Sequence, residues 1–69
     1  MKFNYSRLLG RIREKGFTHA DVAKHIGIVP STFSLKLKCE TVFNAYEIMA
    51  ICKLLDIPAE EIGIYFFAI

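Results

Sequence analysis

Only two cysteines, Cys39 and Cys52, occur in the 69 residues. That is too few to staple a secreted miniprotein, so free thiols are expected. No apolar run approaches the roughly 18–20 residues of a membrane helix. The opening Met1-Lys2-Phe3-Asn4-Tyr5 also lacks the charged-then-apolar profile of a secretory signal. A cytoplasmic location and no membrane partner are therefore expected. Internal repeats, low-complexity stretches and flexible linkers are missing too, which leaves one domain over residues 1–69. A chain of this size buries only about 60% of the surface it exposes when unfolded. A cleft enclosing a small-molecule substrate would consume much of its core, so neither an enzyme nor a cofactor is expected. His19, His25, Cys39 and Cys52 are not paired at the short spacing of structural zinc sites, and no metal is expected. A Cys-His nucleophile has no evident third group or oxyanion site beside it.

What is present describes a folding chain: 54% of residues are hydrophobic, 13% aromatic and 23% charged. The net charge of +2 hides its distribution. Residues 1–38 hold eight bases (Lys2, Arg7, Arg11, Arg13, Lys15, Lys24, Lys36, Lys38) against two acids (Glu14, Asp21), a balance of +6. Residues 39–69 hold one base, Lys53, against five acids (Glu40, Glu47, Asp56, Glu60, Glu61), a balance of −4. So dipolar a surface has one pole suited to phosphate, although charge alone does not separate a nucleic-acid binder from a solvated face.

The apolar pattern is helical throughout. Tyr5, Leu8, Leu9 and Ile12 fall at i, i+3, i+4 and i+7 and predict an amphipathic helix over 5–15, ended by Gly16. Thr18 with Asp21 three residues on predicts a capped second helix. Val22, Ala23 and Ile26 face inward there, and Gly27 occupies the left-handed position at its end. Pro30 suits the first turn of a third helix. Phe33 and Leu37 define its buried side, Ser31, Thr32, Leu35 and Lys38 point away, and Ser34 and Lys36 lie on the flanks. Lys38 to Phe43 reads as a connector. Asn44 with Glu47 begins a fourth helix over 45–55, with Ile48, Ile51, Cys52 and Leu55 as its stripe and Met49 and Leu54 widening it. Pro58 starts a short fifth helix whose N-terminus Glu60 and Glu61 favour. The segment 62–69 is apolar apart from Gly63, and either a helical or an extended end fits it.

The stretch Thr18 to Lys38, THADVAKHIGIVPSTFSLKLK, resembles the helix-turn-helix of the lambda repressor and Cro family, also called the xenobiotic-response-element family. Matching positions are Ala23 in the first motif helix, Gly27 in the turn, apolar Val22, Ile26 and Ile28, and Phe33 in the second. The opening FNYSRLLGRIREKG and the closing LLDIPAEEIGIYFF look like small phage or prophage regulators of that family, so the likeness spans nearly the whole chain. Two departures stand out. Val29 replaces the usual Ser or Thr cap, and Lys38-Cys39-Glu40 stands where the family usually reads Asn-Gly-Lys.

The resemblance implies an all-α, five-helix domain with a central helix-turn-helix. It also implies a transcriptional regulator whose partner is a palindromic double-stranded DNA operator, bound as a homodimer. Ser31, Thr32, Leu35 and Lys36 would read bases, Leu35 against a thymine methyl and Lys36 against guanine or a phosphate. Thr18, His19, Lys38, Thr41 and Asn44 would meet phosphates, helped by Arg11 and Lys15, with Thr18 and Asn44 acting first as caps. Other readings remain open. Leu35 as a core residue fits too, and Cys39 reads as exposed and oxidisable. Tyr65, Phe66, Phe67 and Ile69 suit either a dimer interface or core packing plus a frayed tail. From another functional class, a helix-turn-helix that has lost DNA binding and serves as a docking or antitoxin-like adaptor fits the same fold.

Overall fold

A computed structural model of the chain describes residues 2–69. Five α-helices follow in order: α1 (Ser6–Glu14), α2 (His19–Ile26), α3 (Pro30–Leu37), α4 (Ala45–Leu55) and α5 (Ile62–Phe66), the last entered through a single 3-10 turn at Ala59–Glu61. No strand occurs among the described residues. Helix α2 packs against both α3 and α4, and α1 packs against α5.

The helix boundaries follow from local chemistry. In α2, the Thr18 hydroxyl accepts from the Asp21 N–H at 3.1 Å while the Asp21 carboxylate accepts from the Thr18 N–H at 2.9 Å. Asn44 and Glu47 repeat this reciprocal pair at the start of α4, at 2.8 and 2.9 Å. Each box satisfies amides that the first helical turn otherwise leaves bare. Gly27 takes φ +82°, which closes α2 with the Ile28 N–H donating to Ala23 O at 3.0 Å. Val29 is extended ahead of Pro30, and no side chain caps α3.

A left-handed residue closes α3. Cys39 adopts φ +65°, the left-handed conformation that glycine takes without strain. The reversal is otherwise regular, with Glu40 N–H donating to Leu35 O at 3.0 Å and Cys39 N–H to Lys36 O at 3.1 Å. The Cys39 thiol donates to Phe3 O at 3.3 Å. This cysteine is half-buried and tethered, not the exposed thiol that the connector reading suggests.

Leu8, Ile12, Val22, Ala23, Phe33, Ile51 and Leu55 form the centre of the core, as the apolar stripes predict. Phe43 joins them from within the connector and is its aromatic hub. Its ring lies 5.5 Å from Tyr5, 5.9 Å from Phe33 and 5.7 Å from Phe66, each pair edge-on or nearly so. Met49 departs from expectation: it is 68% exposed, because the stripe through Ile48, Ile51, Cys52 and Leu55 already fills the inner face of α4. The chain ends meet where Asn4 N–H donates to Ala68 O at 2.7 Å and Phe3 packs edge-on against Phe67 at 5.6 Å.

Candidate functional site

Three elements converge around α3. The His19 ring, at the first residue of α2, stands edge-on 5.9 Å from Phe33 of α3. Phe33 in turn meets Phe43, immediately before the Asn44 cap of α4. The N-termini of α2 and α4 are thereby held close to α3 by a continuous line of rings. The amides of His19, Ala20, Ala45 and Tyr46 have no hydrogen-bond partner among the described residues. Two helix ends with free N–H groups thus border α3, each also carrying the carboxylate of its capping box.

On α3 itself, Ser31, Ser34 and Leu35 are exposed and Thr32 is half-buried. Leu35 is 41% exposed and so is not a core residue. Ser31, Leu35 and Lys38 fall at i, i+4 and i+7 and form one outward stripe. Val29, which sequence reasoning passes over as a missing cap, is 58% exposed at the head of the same helix. Exposed Lys38, Thr41 and Asn44 follow α3 along the connector into α4.

Lys36 is a correction. Expected to read bases from the flank of α3, it is instead 9% exposed and points inward. Its Nζ donates to Val42 O at 2.8 Å, pairs with the Glu47 carboxylate at 3.1 Å and sits 5.9 Å from the centre of the Phe43 ring. The reason lies in helix geometry: from Phe33, positions i+3 and i+4 are equally close to the core. Lys36 lays its aliphatic stem on apolar surface and places its charge on an inward-facing acid. Leu37 is only half-buried in consequence. The Lys36 charge also offsets that of the capping carboxylate of α4.

Arg11 and Lys15 are likewise engaged elsewhere. Arg11 donates through Nε to Leu55 O at 2.9 Å and through Nη2 to Asp56 O at 3.2 Å, and it pairs with Glu14 at 2.6 Å. Lys15 pairs with Asp56 at 2.8 Å. Arg11 closes the carbonyl end of α4 and Lys15 pairs with the side chain of its C-cap residue, where the helix dipole favours cations, and not at the N-terminal ends beside α3. The Lys15 hydrogen bond and charge hold the Asp56 carboxyl below the usual range. The Thr18 backbone and side chain do the same for Asp21, which keeps one negative charge at the start of α2. Burial raises the Cys52 thiol and suits it to the core.

At the apolar end, Phe66 is 1% exposed and belongs to the core, which removes it from the expected interface set. The reason is its place against Phe43 at the centre of the ring cluster. Tyr65 is half-buried, whereas Phe67 is 52% and Ile69 80% exposed, with Ile64 beside them in sequence at 44%. No helix among the described residues is long and apolar enough to cross a membrane.

The family model described as "Protein of unknown function (DUF739)" matches residues 1–69. No curated protein matches the chain.

Proposed function

We propose that the chain, which belongs to the DUF739 family, is a sequence-specific transcriptional regulator that binds double-stranded DNA in the manner of the lambda repressor and Cro. In this reading it is a phage or mobile-element protein acting in the bacterial cytoplasm on a palindromic operator. The observation that carries the reading is the setting of α3. An uncharged outer face is bordered by two helix N-termini with free amides and followed by Lys38. Such an element suits the major groove, with the flanking amides and Lys38 on the phosphates of either strand. Phosphate contacts then fall to Thr18, His19, Lys38, Thr41 and Asn44, and base contacts to Ser31, Thr32 and Leu35.

One motif covers half a site, so two copies bind with their α3 helices about 34 Å apart. Phe67 and Ile69, with Ile64 and the edge of Tyr65, supply the apolar surface for pairing. A second reading draws on α4, where Tyr46 is 86% and Met49 68% exposed, together with Val42 at 72% in the connector. Such a surface suits a protein-docking or antitoxin-like adaptor.

Salt dependence separates the two. If two copies together neutralise about six phosphates, log K against log salt falls with a slope near −5 on duplex DNA. Fluorescence anisotropy across a salt series measures it. A flat line, or no binding at the lowest salt, excludes the regulator and leaves the adaptor.

A further inference from the structure

The connector between α3 and α4 is held from outside its own backbone. The reversal that closes α3 ends with Glu40 N–H donating to Leu35 O at 3.0 Å, and the next fixed points are the Phe43 ring in the core and the Asn44 cap of α4. Between them, Thr41, Val42 and Phe43 make no backbone–backbone hydrogen bond among the described residues. The hydrogen bond that does reach this stretch comes from a side chain: Lys36 Nζ donates to Val42 O at 2.8 Å. The same ammonium pairs with Glu47 Oε1 at 3.1 Å, and that oxygen also accepts from the Asn44 N–H at 2.9 Å. One cation on α3 therefore ties the middle of the connector to the first turn of α4, while Thr41 and Val42 themselves stand in solvent.

An exposed stretch without backbone partners belongs to the most mobile class of segments in a fold. A buried charge pair contributes little stability that apolar side chains of the same size would not. What apolar side chains would not supply is a donor for Val42 O. Resting on the DNA-binding reading above, we propose that Lys36 is a positioning residue: by holding Val42 O it fixes Thr41 beside the duplex, so that the threonine meets a phosphate without first having to be ordered. Lys36 itself touches no DNA. Fixing the backbone of one residue costs about tenfold in an equilibrium constant, so a connector already ordered in the free protein raises affinity by pre-organisation.

The test uses the full chain carrying Lys36→Met and Glu47→Gln together. The first substitution keeps an apolar stem and the second keeps an acceptor for the Asn44 N–H, so what is removed is chiefly the hold on Val42 O. Backbone NMR relaxation of the free parent is expected to show Thr41 and Val42 as rigid as the helices, with order parameters of about 0.85, and below about 0.6 in the doubly substituted chain. Affinity for the duplex pool that the parent enriches from a random library is expected to fall at least about tenfold. Thr41→Ala is expected to weaken binding by the parent and to change little in the doubly substituted chain. Neither a direct Lys36 contact to DNA nor a general loss of stability produces that coupling.

Additive effects of the Thr41 and Lys36–Glu47 substitutions overturn the proposal, as does an unchanged affinity in the doubly substituted chain or a Thr41→Ala that is silent in the parent. A connector already mobile in the parent overturns it too, whether or not the doubly substituted chain folds. In each of these cases DNA binding itself still stands. Failure of the parent to enrich any pool, with no salt-sensitive binding to bulk duplex, overturns the regulator reading and this inference with it.

Discussion

Glu47→Ala is expected to cost about 3–5 kcal/mol of folding stability, the range for removing one partner of a buried ion pair. The Lys36 and Glu47 side chains are only 11% and 9% exposed, and their charged atoms lie 3.1 Å apart. Loss of the carboxylate leaves an ammonium held among apolar groups, with Val42 O as its remaining hydrogen-bond partner at 2.8 Å. It also removes the acceptor for the Asn44 N–H at the head of α4. The double substitution Lys36→Met with Glu47→Gln is expected to recover most of the loss. An apolar stem then replaces the cation, and the glutamine carbonyl still completes the cap. Urea denaturation of the two proteins measures the difference. A Glu47→Ala cost below about 1 kcal/mol, the upper range for an exposed pair, would return Lys36 to the surface and to the base-reading set.

Phe66 and Phe67 are expected to part company under substitution. Phe66→Ala removes a ring that is 1% exposed and stacked edge-on against the Phe43 hub, and costs about 3–5 kcal/mol. In so small a domain, whose total stability is of order 5–15 kcal/mol or less, that leaves a substantial unfolded fraction. Phe67→Asp acts at a half-exposed ring whose aromatic neighbour is Phe3, and the monomer stays folded. In the proposed dimer its effect falls on association, because a carboxylate within an apolar contact loses its water on pairing. Thermal melts read the first effect and sedimentation equilibrium the second. A Phe67→Asp chain that melts like Phe66→Ala would place both rings in the core and remove α5 from the pairing surface.

The contrast between these two residues marks where sequence reasoning reaches its limit. Boundaries were legible wherever a side chain or a φ requirement fixed them. Thr18 with Asp21, Asn44 with Glu47, Gly27 and Pro30 all stand where their local chemistry requires. Facing was legible in α1, whose apolar and polar residues alternate at helical spacing, and only in part in α4, where Ile51, Cys52 and Leu55 face inward as expected but Met49 does not. It was not legible from Ile62 to Ile69, because a segment apolar on every side contains no period that selects Phe66 over Phe67. Phe43 was hidden for a related reason: a connector has no repeat, so nothing local marks its ring as the hub of four aromatic residues.

Lys36 failed in a different way. Spacing from Phe33 allows either Lys36 or Leu37 to face inward, and polarity favours the leucine. Only the return of Glu47 from another helix makes a lysine acceptable there, and that is a tertiary fact. The candidate site was correspondingly half legible. Ser31, Leu35, Lys38 and the two capped N-termini could be assigned to one neighbourhood from sequence. The withdrawal of Lys36, Arg11 and Lys15 into intramolecular contacts, and the exposure of Val29, required the fold.

Selection of bound fragments from a random duplex library at near-physiological salt, followed by sequencing, tests the central claim most directly. The expected result is a palindrome whose half-sites lie about 10–11 base pairs apart, matching two α3 helices one helical turn from each other. A pool that stays random through successive rounds, from a chain that remains folded, would contradict a sequence-specific regulator.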